Sequence, residues 1–115
     1  MMYEVITIGE KEIKLCLPMR QTVELEKALG ENPLNKLIEM SDGTKMPSFE
    51  FLATVFRYAM LKHQPKTDIN KAYDIMDEYL EQEENDLTTL LTLIMKIFET
   101  SGFFRHGAIK QPRDK

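Results

Sequence analysis

The sequence predicts an α+β protein, mostly α, in which an N-terminal β-hairpin packs on a bundle of about five helices. Two patterns predict this class. Apolar and polar residues alternate over 3–17, and beyond Pro18 the apolar residues recur at helical spacings in five segments. The chain has 115 residues, 43% of them hydrophobic and 30% charged, which is typical of one soluble domain. We expect that domain to span residues 1–104.

The hairpin is predicted to turn at Gly9-Glu10. Glycine at the first central position suits a two-residue type II′ turn, although Lys11 could lengthen the loop by one residue. In the second strand, Ile13, Leu15 and Leu17 alternate with Glu12, Lys14 and Cys16, so Cys16 is expected on the face opposite the apolar side chains. A lone hairpin is marginal in water, and helices should therefore cover its apolar face.

The five helices are predicted at about 19–29, 33–41, 49–62, 69–82 and 87–101. Four of them follow residues that favour helix N-termini, namely Pro18, Asn32, Ser48, and Asn85 or Asp86. Gly102 is expected to end the last helix, with Phe103 and Phe104 folding back on its final turn.

The third helix is apolar over most of its circumference, because polar side chains interrupt it only at Glu50, Thr54 and Arg57. A helix of this kind belongs at the centre of a domain. One of its apolar stripes is Phe49, Leu52, Ala53, Phe56 and Met60. In the first helix the expected stripe is Met19, Val23, Ala28 and Leu29, and in the fourth it is Ile69, Ala72, Tyr73, Met76, Tyr79 and Leu80.

Few residues point to catalysis or metal binding. Cys16 is the single cysteine, and a structural role for it is favoured over a reactive thiolate. The two histidines, His63 and His106, are far apart in sequence, and His63 is expected near the carbonyls that end a helix. The glycines are too dispersed to cradle a phosphate. We therefore expect no enzyme activity, no cofactor and no metal site.

Charge argues against a nucleic-acid partner, and the short apolar runs argue against a membrane. The net charge is −4 and the pI is near 5.2, and none of the five predicted helices is basic. No apolar run approaches the roughly 20 residues of a membrane span, and no segment resembles an export signal. Residues 105–115 are predicted to form a flexible, basic tail. An acidic body with a basic tail suits protein contacts.

Apolar residues at element ends are the candidates for a protein-binding surface. The chain has eight methionines, a flexible residue that suits varied apolar partners. Most are expected to fill the core, but Met40, Met46, Phe103 and Phe104 lie at element ends or in loops. The acidic run from 74 to 86 lacks the spacing of a calcium loop. It is either a solvated face or a docking surface for a basic partner, and we include its Asp77 and Glu81 in the predicted surface.

The order of these segments is similar to that of a known family. The segments are YEVITIGEKEIKL (3–15), MRQTVELEKALG (19–30), FEFLATVFRYAMLKH (49–63) and SGFF (101–104). Over nearly its whole length the chain resembles the small tail assembly chaperones of long-tailed, siphovirus-type bacteriophages and prophages. The likeness is one of architecture and loose consensus, without an invariant motif.

The resemblance implies a non-enzymatic role in the host cytoplasm. Such chaperones coat the tape measure protein, keep it soluble, bring tail tube subunits to it and leave before the virion is complete. Many relatives also have a longer, frameshifted product. The implied partners are therefore the tape measure protein and the tail tube protein, and self-association stays open. The alternative is a small helical adaptor that binds one protein partner; a nucleic-acid-binding domain and an enzyme rank lower.

Overall fold

A computed structural model describes residues 2–103 and has the predicted architecture of a β-hairpin followed by five helices. The elements are β1 (Glu4–Ile8), β2 (Lys11–Leu15), α1 (Met19–Leu29), α2 (Pro33–Asp42), α3 (Phe49–Met60), α4 (Ile69–Glu81) and α5 (Leu87–Thr100). Every helix begins where the sequence predicts and ends within two residues of the predicted end. Phe104 and the tail predicted over 105–115 lie outside the described residues.

The hairpin has the predicted two-residue turn. Ile8 pairs with Lys11, so Lys11 belongs to β2 and does not lengthen the loop. Gly9 has a φ of +62°, whereas Glu10 has no positive φ, as a type II′ turn requires. The inner face of the hairpin buries four side chains, which are Ile6, Ile8, Ile13 and Leu15.

Side-chain capping bonds fix the N-termini of α2, α3, α4 and α5, whereas α1 begins after Pro18 without one. The Ser48 hydroxyl accepts from the Phe51 N–H at 3.0 Å and opens α3. Asp86, and not Asn85, caps α5, because its carboxylate accepts from the Thr89 N–H while the Thr89 hydroxyl accepts from the Asp86 N–H. Asn85 instead donates to the carbonyl of Tyr79 at 3.0 Å.

Helix α3 lies at the centre of the fold, as predicted. It contacts α1, α4, α5 and β2. Its buried residues are Phe51, Leu52, Ala53, Val55, Phe56, Ala59 and Met60. They join one core with the inner face of the hairpin and with Leu25, Leu37, Ile75, Ile94, Ile97 and Phe98 from the other helices.

The prediction for Cys16 was wrong. The alternation of β2 ends at Leu15, and the chain then runs under α3, so Leu15, Cys16 and Leu17 are all fully buried. The Cys16 N–H donates to the carbonyl of Ala59 at 2.9 Å. A long-range backbone bond therefore replaces strand pairing at this residue.

The side chain of Gln64 closes the outer edge of β2. Its Oε1 accepts from the Lys14 N–H at 3.2 Å, and its Nε2 donates to the Lys14 carbonyl at 3.0 Å. The same Nε2 donates to the carbonyl of Met60 at 2.8 Å. One amide side chain thus ties the hairpin to the end of α3.

Two predicted helix faces were partly wrong. Helix α1 buries Leu25, whereas Met19 is 66% exposed and Val23 is also exposed. Helix α4 buries Ile75, which the predicted stripe omitted, and leaves Tyr73 and Leu80 exposed. In both helices the neighbouring elements cover a set of positions that differs in part from the predicted stripe.

Candidate protein-binding surface

Met40 and Met46 line one groove beside α5, which we call the methionine groove. Met40 is half-buried near the end of α2, and Met46 is exposed in the loop that follows. They face Leu91 and Met95 of α5 across a cavity of about 390 Å³. Gly43, with a φ of +73°, ends α2 and turns the chain into this loop. Two methionines that are six residues apart thereby reach the same helix.

Asp77 lines a different groove, bounded by α3, α4 and α5, which we call the acidic groove. Its apolar lining includes Phe49 at the first turn of α3, and Tyr73 and Leu80 of α4. These three side chains are 73%, 47% and 40% exposed. The carboxylates of Glu50 and Asp77 lie among the apolar side chains.

Glu81 extends the negative charge along α4. It is exposed one turn after Asp77, so the two carboxylates lie on one side of the helix. Their neighbour Glu78 forms an ion pair with the hairpin, in which Lys11 Nζ lies 3.7 Å from the carboxylate. The acidic run therefore includes carboxylates with structural contacts as well as exposed ones.

Phe103 packs on the last turn of α5. Its N–H donates to the carbonyl of Phe98 at 3.1 Å, the Gly102 N–H donates to Glu99 at 3.0 Å, and Gly102 has a φ of +95°. This is a Schellman motif, and its hydrophobic contact is the pair of rings of Phe98 and Phe103, 5.9 Å apart. The fold-back of Phe103 is thus confirmed, and local capping accounts for much of its position.

The predicted surface residues lie in three places. Met40 and Met46 meet in the methionine groove, and Asp77 lies in the acidic groove with Glu81 one turn away. Phe103 lies at the other end of α5, in a shallow groove with Met19 and Leu34. Phe104 lies outside the described residues. The acidic groove reaches the start of α5 through Leu87 and Leu90, whereas the methionine groove runs along α5 from Thr88 to Glu99.

Sequence reasoning missed Phe49, Tyr73 and Leu80 as surface residues, since it placed all three on core stripes. A helix with apolar residues on most sides gives no signal of which part its neighbours leave uncovered. The one available signal is position, because Phe49 directly follows the capping residue Ser48, where few neighbouring turns exist to bury it.

The described structure shifts the pKa values of a thiol and of an imidazole, those of Cys16 and His63. Burial raises the pKa of the Cys16 thiol, against the opposing charge of Lys62, so the nucleophilic thiolate is disfavoured. Burial, aided by the positive charges of Lys14 and Lys62, lowers the pKa of His63. Within residues 2–103 no three His, Cys, Asp or Glu side chains form a group that could hold a metal ion.

The sequence predicts His63 at the C-terminal end of a helix, and the structure has it there. It follows the end of α3, and its ring lies edge-on to Tyr3 with 5.0 Å between the ring centres. Its Nε2 is buried and has no hydrogen-bond partner among the described residues. The His63 ring therefore packs against Tyr3 at the start of the hairpin, and its Nε2 forms no hydrogen bond with the carbonyls at the end of α3.

Membrane insertion finds no support in the part of the chain that is described, where each helix is too short or too polar to cross a bilayer. The longest is α5, with 14 residues.

Comparison with known proteins places nearly the whole chain in one family. The chain belongs to the DUF6096 family, a family of unknown function, which it matches over residues 2–114. No curated protein and no solved structure matches it.

Proposed function

We propose that this member of the DUF6096 family is a tail assembly chaperone of a long-tailed phage or prophage. In this role it binds the tape measure protein, keeps it soluble and helps to recruit tail tube subunits. The role is non-enzymatic and is exercised in the host cytoplasm, before the virion is complete. The resemblance of the whole chain to such chaperones supports the proposal, and so does the surface beside α5.

The methionine groove is the observation that carries the proposal. A tape measure protein offers long helices with apolar seams, and a partner has to accept many different side chains along them. Met40, Met46 and Met95 line the groove, and methionine adapts to varied apolar surfaces because it is unbranched and polarizable. A methionine-lined groove thus suits a client with a long, irregular seam better than one fixed ligand.

Coating does not need tight single contacts. When many copies bind one long client, each contact can stay weak and reversible while the assembly remains bound. A shallow groove on a small domain fits this requirement, because the chaperone has to leave before assembly is complete.

The test is co-expression with the tape measure protein of the same phage. We expect the client to become soluble and to co-purify with many copies of this chain. In the double variant Met40→Gln/Met46→Gln, each copy of the chaperone should bind its site on the client about tenfold more weakly. The reason is that polar side chains then replace apolar ones in the groove. The client's soluble fraction should fall accordingly.

Met2→Gln is the matched control. Met2 is also an exposed methionine, but it precedes β1 and lines neither the methionine groove, nor the acidic groove, nor the groove near Phe103. It should leave client solubility unchanged. A complex with one copy of each protein would favour the adaptor alternative, and no effect on the client's solubility would contradict the chaperone function.

A further inference from the structure

The acidic groove differs from the methionine groove in charge. Two carboxylates, Glu50 and Asp77, lie among its lining residues, and the described residues that line it include no lysine or arginine. The methionine groove, in contrast, includes one residue of each charge, Lys96 and Glu99. The two sides of α5 therefore present apolar surface in different electrostatic settings.

The apolar part of the acidic groove has the shape of a strip along α4. Tyr73, Met76 and Leu80 are spaced three and four residues apart, so they follow one another along one side of the helix over about 10 Å. Phe49 adds a large aromatic side chain beside them, and it is the most exposed of the set. A second helix lying beside α4 could place its own apolar seam on this strip.

Asp77 lies within this strip, between Met76 and Leu80, and Glu81 follows it by one turn. A helix that docks here brings the residues flanking its seam close to these carboxylates. Lysine or arginine at the flanks would gain favourable electrostatic energy, while aspartate or glutamate would be repelled.

We propose that the acidic groove binds an amphipathic α-helix whose apolar seam is flanked by lysine and arginine. The choice of occupant rests on the charge complementarity with Glu50 and Asp77. The inference deepens the proposed function and rests on it for the client's identity, since it states which helices of the client this chaperone selects.

The experiment uses the full chain and two designed helical peptides of about 18 residues, or about five turns. Both peptides carry the same leucine seam; one has lysine and arginine at the flanks, and the other has glutamate. Binding is measured by fluorescence anisotropy at low and at physiological ionic strength. We expect the basic peptide to bind at least about tenfold more tightly, with affinity that falls as salt rises.

Two pairs of variants test the site. Phe49→Ala/Leu80→Ala should weaken binding of the basic peptide by about tenfold or more, because it removes two large apolar contacts. Ile38→Ala is its control, since Ile38 is an exposed apolar residue of α2 that does not line the groove. Asp77→Lys should reduce the preference for the basic peptide, whereas Glu12→Lys makes the same charge change on the hairpin and should not.

Several outcomes would overturn the inference. Equal binding of the two peptides, or binding unaffected by Phe49→Ala/Leu80→Ala, would mean that the groove does not select basic helices. Sedimentation velocity identifies a second copy as the occupant if that double variant dissociates a dimer. If the exchange of Arg105, Lys110, Arg113 and Lys115 for glutamine tightens peptide binding, the occupant is this chain's own C-terminal segment.

Failure here is distinguishable from failure of the proposed function. If Phe49→Ala/Leu80→Ala still keeps the tape measure protein soluble, while Met40→Gln/Met46→Gln does not, the chaperone function stands and the acidic groove is not its binding site.

Discussion

Phe49 and Phe56 lie seven residues apart on the same face of α3, yet Phe56 is fully buried and Phe49 is 73% exposed. Seven residues make about two turns, so the two rings point in nearly the same direction. The C-terminal half of α3 packs against the hairpin, which is tied there by Cys16 and Gln64. Around Phe49, at the N-terminal end, the neighbouring helices leave an open groove.

The difference shows that the apolar face of α3 extends beyond the part that the neighbouring elements bury. A phenylalanine on this face is core at one end of the helix and exposed surface at the other. The same contrast holds along α5, where Ile97 and Phe98 are fully buried while Leu87 and Leu91 are partly exposed beside the two grooves. The N-terminal ends of α3 and α5 lie together, because Phe49 of α3 and Leu87 of α5 both line the acidic groove.

The largest effect should come from truncating the two phenylalanines in turn. Phe56→Ala should reduce the free energy of unfolding by about 3–5 kcal/mol, because it leaves a cavity in the packed core. Phe49→Ala should change it by no more than about 0.5 kcal/mol, since the ring is already largely in water. Denaturant unfolding followed by circular dichroism measures both. Similar losses for the two variants would show that Phe49 is covered in solution, and the contrast between the ends of α3 would fail.

A smaller effect should follow from removing the amide that ties the hairpin down. Gln64→Ala leaves the N–H and carbonyl of Lys14 without their side-chain partner and should cost about 1–3 kcal/mol. Gln82→Ala is the matched control, because Gln82 donates only one bond to the hairpin, to the carbonyl of Thr7 at 3.1 Å, while its Oε1 accepts from Asn85, which also donates to Tyr79. It should cost about 1 kcal/mol or less. A loss for Gln82→Ala that equals the loss for Gln64→Ala would contradict a special role for the Gln64 contact.

The smallest effect should be a pH dependence from His63. Its pKa in the folded protein is lowered from 6.5 by burial and by Lys14 and Lys62. As pH falls below 6.5 the unfolded chain takes up this proton before the folded protein does, so His63 should make the protein less stable until the pH drops below the folded pKa. His63→Phe keeps an aromatic ring against Tyr3 and should flatten this part of the profile. Thermal unfolding between pH 5 and pH 8 measures it, and identical slopes for the two proteins would remove His63 as the cause.

The features that depend on neighbouring residues in sequence could be predicted. The type II′ turn follows from Gly9, and the start of α3 follows from Ser48, because both involve bonds within a few residues. The Schellman contact of Phe103 could be predicted for the same reason, since Gly102 and the last turn of α5 determine it.

The features that depend on packing could not be predicted. Helix α1 has apolar residues on more than one side, and only its neighbours decide that Leu25 is buried and Met19 exposed. Cys16 continued an alternating pattern, but a backbone bond to α3 ends that pattern. For the candidate surface, the sequence indicated Met40 and Met46 separately, while their convergence on α5 depends on the path of the loop after α2.

The burial of Cys16 makes the chain its own reporter of conformational opening. It is the single cysteine in the sequence, and it lies fully buried where the hairpin passes under α3. A thiol reagent can reach it only when that junction opens, so the labelling rate at a fixed pH measures how often the hairpin lifts from the helices. This labelling measurement needs no engineered probe. It monitors the junction of the hairpin and α3 while ligands are added to the grooves elsewhere on the domain.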